Sequence, residues 1–456
     1  MMRVIRAPIA LAFLCGAADA ATAPFTFFSS VAAGGATAAQ VSNFQTQSYT
    51  GSCTTFAGCY TFSRAGNAMV YDSTGTLTYA PNNLYTYSNT FSNSAWAWYG
   101  GGTATAGFSD PFGGNNAYKI VPAAEPGYHD FSQEVAYTPG VNYIVSEYIK
   151  AAGYTTLTWA DWNASTWLTF DFTAVTATIG GSDAGMTISH PSITSVGNGW
   201  YLISAVFNVT AIGRSWPLRW VPNDTSNTPD GVSGFYIYGA ALSAVTYETT
   251  PRPGDQVITT SAAYYGPRFD YPGGSADGLL VEGARTNLYL NSAVPALQTI
   301  TVANSSTYTI SFYGTGSIVV SGAYSGTITG SGVNVLTQKT FVAGSTSLSM
   351  AAPTGTVINV QVELGSYATY RIITAGSTIT RAADVPTSAV PLTAYLAANP
   401  SIWELQDEAT GTISRAVYTA GTFTFPTGKW YRSMAAYPIG TPTGYLNTKL
   451  TVGGPY

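Results

Sequence analysis

The chain has 456 residues, of which only 9% are charged, and a formal net charge of −5. A typical soluble domain is about 25% charged. Yet 46% of this chain is hydrophobic and 14% aromatic, which excludes disorder from too little apolar content. With two histidines, His129 and His190, His-based metal sites and Ser-His-Asp catalysis are largely excluded. No Lys/Arg cluster follows residues 1–6, which argues against a nucleic-acid partner.

The 48 glycines and 24 prolines punctuate turns, and the Thr, Tyr and Val between them favour half-buried strands. The composition predicts an all-β protein of antiparallel β-sandwich (jelly-roll) modules in tandem, with little helix. At about 100–200 residues per domain, the length allows two to four units.

Residues 1–20 hold a basic head with Arg3 and Arg6, an apolar run over 7–16, and the small-x-small triplet Ala18-Asp19-Ala20. This reads as a secretory signal, or else as an apolar N-terminal anchoring segment within a larger assembly. Residues 21–83 read as a linker plus a β-hairpin region, with strands over 60–71 and 76–79 around the turn Asp72-Ser-Thr-Gly75. Cys53 and Cys59, with five residues between them, are spaced for a small disulfide loop in an oxidising compartment, or are free thiols in a reducing one.

Residues 84–250 form the longest unit and are predicted to be a jelly roll. Segments of period two over 117–121, 131–137, 143–150, 168–172, 200–209 and 234–240 lie between Gly, Asn or Pro breaks. A junction follows over 251–285. Residues 286–385 read as a smaller β-sandwich with strands over 308–313, 317–320, 346–350 and 356–364. The stretch 386–456 reads as a C-terminal β segment, with strands over 401–405 and 429–437 and a helical turn over 393–398. The two sandwiches open alike, with Asn83-Leu-Tyr-Thr-Tyr-Ser and Asn287-Leu-Tyr-Leu-Asn-Ser. Their late strands also rhyme, 235–242 against 358–364, each followed by an extended Thr-containing segment, around 247–251 and 367–373. These pairs indicate internal duplication.

Several junction sequences are similar to those of tailed-phage and prophage structural proteins, the tail-fibre or head-appendage family. They are Phe62-Ser-Arg-Ala-Gly-Asn-Ala, Pro267-Arg-Phe-Asp-Tyr271, Gly278-Leu-Leu-Val-Glu-Gly-Ala-Arg-Thr-Asn-Leu288 and Ile379-Thr-Arg-Ala-Ala-Asp384. The run from Asn83 to Trp96 and Gly199-Trp-Tyr-Leu-Ile-Ser204 resemble parts of a carbohydrate-binding-module-like jelly roll. The resemblance covers about residues 56–385. It implies a non-enzymatic virion appendage contacting host cell-surface polysaccharide, with other virion proteins as partners and a homo-oligomeric state. Its motifs mark strand packing and domain junctions rather than chemistry.

Eight of the ten tryptophans fall in 84–250. Sugars present apolar C–H faces beside hydroxyls, so a binding face wants exposed aromatic rings next to amides and charges. Trp159, Asp161, Trp162 and Asn163 supply these within five residues, and Trp216, Arg219 and Trp220 form a second group. Trp159, Trp162 and Tyr128 are expected to be exposed and Trp200 to be core. Core packing is the alternative for every tryptophan. Asp224, Asn227 and Asp230 lie in an oxygen-rich stretch that could hold Ca2+, the one cofactor considered; an ion-free Asx turn is the alternative.

Two other functional classes remain. One is a secreted or cell-surface carbohydrate-binding, adhesin-like bacterial protein, marked by loss of residues 1–20 and a Cys53–Cys59 bridge. The other is a polysaccharide depolymerase using the tail acids Glu404, Asp407 and Glu408; Glu125, Asp130 and Glu134 are a second group of acids near one another in sequence. Glycosidases need paired carboxyls flanking the bond, and neither group resembles a glycosidase signature.

Overall fold

The computed structural model describes residues 40–138, 140–160, 166–182, 185–209, 215–216, 219–222, 229–245, 256–399, 401–419, 421 and 424–436. Over these residues the protein is all-β with antiparallel strand pairs. The α-helices among them are Phe56–Cys59 and Val390–Ala398. The signal-like segment 1–20 lies outside the described residues.

The large sandwich packs two six-stranded sheets. One runs Met186–Gly197, Trp200–Val209, Asn142–Ala152, Gly234–Val245, Ala117–Pro122, Gly102–Phe108; the other runs Thr176–Gly181, Thr166–Asp171, Thr156–Ala160, Arg219–Pro222, Asp130–Ser132, Ala97–Tyr99. Alternation decides what fills the space between them. Tyr143, Val145 and Ile149 from one strand meet Ile203, Ala205 and Phe207 from its neighbour, and Leu157, Trp159, Leu168 and Phe170 from the opposite sheet. The small sandwich sets Gln298–Thr301, Ser347–Met350, Ser317–Gly322 and Gly326–Thr329 against Gly332–Val342, Thr307–Gly314 and Val357–Leu364. Ile310, Phe312, Ile318, Leu348 and Val360 fill its core.

The stretches that read as linker, junction and tail form a third body together. Lys429–Ala436 is its central strand. Ser401–Asp407 pairs along one side of it, and Gln40–Asn43 followed by Gly278–Val281 pairs along the other. Phe44, Tyr60, Leu279, Val281, Leu392, Trp403 and Tyr431 make a single core from all three stretches. The Cys53–Cys59 disulfide lies in this body. At the turn of the hairpin Met69–Tyr71/Leu77–Tyr79, Gly75 has φ +79°, and an added Cβ would lie 2.7 Å from the Gly274 backbone nitrogen. Only glycine fits there.

The two sandwiches share one hydrogen-bonded frame. Asn83 Nδ2 donates to the carbonyls of Ala240 (3.1 Å) and Val257 (2.8 Å), and its Oδ1 accepts from Tyr85 N and Leu242 N, both at 3.1 Å. Asn287 repeats this with Val360 (3.1 Å), Ile372 (2.9 Å), Tyr289 N (3.0 Å) and Val362 N (3.1 Å). Ser88 with Thr259 matches Ser292 with Thr374: the serine Oγ accepts from the threonine N–H at 2.8 and 2.9 Å, and the threonine hydroxyl donates to Tyr85 O or Tyr289 O. Gln133 brackets Thr86 as Gln298 brackets Leu290. Both frames carry a β-bulge: Glu147 faces Gly239 and Ala240 in one, Phe312 faces Asn359 and Val360 in the other, with φ +63° at Gly239 and +56° at Asn359. The extended partners of the frame are thus Val257–Thr259 and Ile372–Thr374. Residues 246–255, which hold the expected segment around 247–251, lie outside the described residues.

Candidate functional site

The expected glycan platform is placed differently from the sequence reading. Trp159 is 0% exposed, and its Nε1 donates to Glu147 Oε1 at 2.9 Å inside the large core. The alternation Thr156, Leu157, Thr158, Trp159 carried that signal: Leu157 and Trp159 point inward together. Burial holds the Glu147 carboxyl well above its ordinary range, with the Trp159 bond opposing only in part. Trp200, expected in the core, is buried, but under the outer face of the sheet with Tyr148 and Leu202. Asp161, Trp162, Asn163, Asp224 and Asn227 lie outside the described residues. Trp216, Arg219 and Trp220 are placed by backbone pairing alone, opposite Val135, Ala160 and Trp159 respectively. Tyr128 is 38% exposed and lies 6.2 Å from the Tyr99 ring. Asp230 caps a turn: its carboxylate accepts from Val232 N (2.8 Å), Ser233 N (2.6 Å) and Ser233 Oγ (2.7 Å). These bonds hold its carboxyl down at about 2 without an ion.

The exposed aromatic surface lies elsewhere on the large sandwich. In Gly234–Val245, Phe235 and Ile237 point into the core, so Tyr236 and Tyr238 emerge on the outer face. Tyr236 packs on Phe108 at 4.9 Å, and Phe112 lies 5.2 Å from Tyr148 and 5.8 Å from Tyr238. Phe112 is 56% exposed, yet its loop is pinned. Asp110 Oδ1 accepts from Phe112 N and Gly114 N, both at 2.9 Å, and Oδ2 accepts from Asn116 N (3.3 Å) and Asn116 Nδ2 (2.9 Å). Burial opposes the Asp110 charge, but these bonds prevail and hold its carboxyl below the usual range. Burial and the nearby Asp110 carboxylate raise Tyr238. Lys119 and Lys150 stand in register on either side of Tyr236. The result is a ridge of Phe108, Phe112, Tyr236 and Tyr238 over a buried base, with polar groups along its edges. On the opposite sheet, Trp167 is 39% exposed and lies against Gly180, where a Cβ would meet the indole at 2.4 Å.

The resemblance motifs converge on a buried ionic cluster where the third body meets the small sandwich. Arg268 pairs with Glu282 and Asp384, Arg64 reaches Asp384 at 2.9 Å, and Arg381 reaches Glu282 at 2.7 Å. Asp270 accepts from Tyr370 OH, Trp430 Nε1 (2.7 Å) and Tyr71 N (2.9 Å). Although burial opposes its charge, Arg268 and Arg381 hold Glu282 well below the usual range. Glu408 is pushed up by burial and by the Glu282 carboxylate, so it keeps its proton. Three arginines interleave with two carboxylates here, which suits fixing a joint. The other acids of the tail are held too: Glu404 by Arg415 at 3.0 Å and Arg432 at 3.4 Å, Asp407 by Lys429.

Among the described residues, no group of three His, Cys, Asp or Glu could hold a metal ion. No helix among them is long and apolar enough to cross a membrane. The chain matches no known protein-family model and no curated protein.

Proposed function

We propose that this chain is a non-enzymatic phage or prophage virion appendage, a tail or head fibre, that recognises host cell-surface glycan through a large sandwich of jelly-roll type. The observation behind this reading is the pinned, exposed Phe112 above Tyr148 and Tyr238. A rigid aromatic surface offers stacking area at little entropic cost, and Tyr hydroxyls and flanking lysines supply polar partners for sugar hydroxyls. Few charges and a neutral polar surface suit contact with polysaccharide. Weak single-site affinity would be multiplied by display of several copies.

The test is binding of labelled full-length protein, free and displayed as a multimer, to a panel of bacterial cells, beside a Phe112→Ala/Tyr238→Ala variant. Saturable binding that periodate-treated cells lose, and that the folded variant loses more than about tenfold, is the expected result. A folded wild-type protein that binds no cell even as a multimer overturns the reading. The secreted, adhesin-like alternative draws support from the Cys53–Cys59 disulfide, since such bonds persist in oxidising compartments. Intact mass separates the two: loss of residues 1–20 favours secretion, and retention of Met1 or Met2 favours a virion part.

A further inference from the structure

The sheet opposite the aromatic ridge carries two exposed aromatic groups on its own outer face. In Thr166–Asp171, Leu168 and Phe170 fill the core, so Trp167 and Thr169 face outward. In Ala97–Tyr99, Trp98 packs against that core, so Tyr99 faces outward too, and it is 60% exposed. The half-exposed Tyr128 lies beside it. Apolar side chains exposed singly are ordinary. These share one face of one sheet, whose strands run Thr166–Asp171, Thr156–Ala160, Arg219–Pro222, Asp130–Ser132, Ala97–Tyr99. Four strand spacings, about 19 Å, separate the two groups.

Both groups are held in place. A Cβ on Gly180 would lie 2.4 to 2.7 Å from three atoms of the Trp167 indole, so the glycine sits under one face of the ring and the other meets solvent. A Cβ on Gly100 would lie 2.4 Å from the Tyr128 carbonyl oxygen. The His129 ring nitrogens lie 2.8 Å from Glu125 O and 3.2 Å from Gly101 O. These contacts fix the Tyr128 loop against the strand of Tyr99. Threonines stand beside the indole: Thr178, Thr169 and Thr158 are in register on the outer face, with the Thr158 and Thr169 hydroxyls 2.9 Å apart. Arg219 and Val221 follow in register on the next strand.

We propose that this face is a second glycan-binding site, which takes an extended polysaccharide along its length, one sugar ring on Trp167 and another on Tyr99. A sheet face receives the interior of a chain rather than its end. The indole and phenol rings cover apolar C–H faces, and the threonine hydroxyls both donate to and accept from sugar hydroxyls. Platforms fixed before binding add contact area at little entropic cost. One sugar cannot reach both platforms, so affinity rises with chain length until both are occupied. The ligand class rests on the glycan reading above, while the site uses none of the ridge residues.

The test is affinity electrophoresis of the full-length protein in native gels holding dextran, levan, laminarin, mannan or alginate. It is run on wild type and on the Phe112→Ala/Tyr238→Ala protein, in which the ridge is removed. The expected result is retardation by at least one polymer that persists without the ridge. Oligosaccharides long enough to span both platforms relieve it, and the monosaccharide does not. Added to the ridge variant, Trp167→Ala and Tyr99→Ala each weaken binding about 5- to 20-fold. Tyr99→Ala, at a mostly exposed ring, supplies the test if Trp167→Ala fails to fold. Retardation that vanishes with the ridge overturns this inference and leaves the ridge reading standing. Retardation by none of the five polymers, relief by the monosaccharide, or indifference to both face substitutions also overturns it.

Discussion

At the same bulge of the same strand, the large sandwich holds Glu147 and the small one Phe312. Their outer faces diverge as well. In the small sandwich that face is buried and polar: Thr309 donates to Gly365 O at 2.9 Å, Gln361 to Thr369 O at 3.2 Å, and Thr369 bonds to Glu363 at 2.5 Å. The segment over it runs into the ionic cluster through Tyr370 N, which donates to Glu282 at 2.9 Å. In the large sandwich one end of the equivalent face carries Tyr236 and Tyr238 under the exposed Phe112. One copy of the duplicated frame therefore uses this face to dock, and the other leaves aromatic surface open. A frame held by backbone-directed Asn, Ser, Thr and Gln leaves the sheet faces free to differ.

The largest effect should come from emptying the large core. Trp159→Ala should cost about 3–5 kcal/mol and leave the Glu147 carboxyl without its donor, measured by denaturant unfolding. A cost near zero would mean that Trp159 is exposed and the comparison of cores is wrong.

Next, Asn83→Ala and Asn287→Ala should each cost about 2–4 kcal/mol, because each leaves two buried N–H groups and two carbonyls without a partner. Similar losses sharpen the duplication. If only one substitution is felt, the frames are not equivalent in energy.

A smaller effect separates Glu147 from Phe312. Glu147 has a folded pKa raised above 4.5 by burial, so the folded state binds the proton more tightly than the unfolded state. Its contribution is full below about pH 4.5 and declines as pH rises towards the folded value. Glu147→Gln should therefore be increasingly stabilised relative to wild type as the pH rises above 4.5, in paired thermal melts. A difference independent of pH would mean that Glu147 is solvated. The smallest stability change belongs to Phe112→Ala, within about 0.5 kcal/mol, because that ring is mostly in water.

Much of this organisation could be read along the chain. Period-two alternation located strands such as Trp200–Val209, and Asn83-Leu-Tyr against Asn287-Leu-Tyr located the duplication. The inward pairing of Leu157 with Trp159 was also legible, as was the outward pairing of Tyr236 with Tyr238. The exposure of Phe112 was not, because it depends on where the Asp110 loop folds back over Tyr148, two strands away.

The amino-acid sequence by itself determined the all-β class, the strand positions and the two related sandwiches, because hydrophobic period and turn chemistry are local properties. Only the tertiary structure decided that residues 40–83, 256–285 and the described part of 386–436 share one body. It also decided that Arg64, Arg268 and Arg381 gather around Glu282 and Asp384. Those outcomes depend on pairings between residues as far apart as Gln40 and Ala436, which no local pattern encodes.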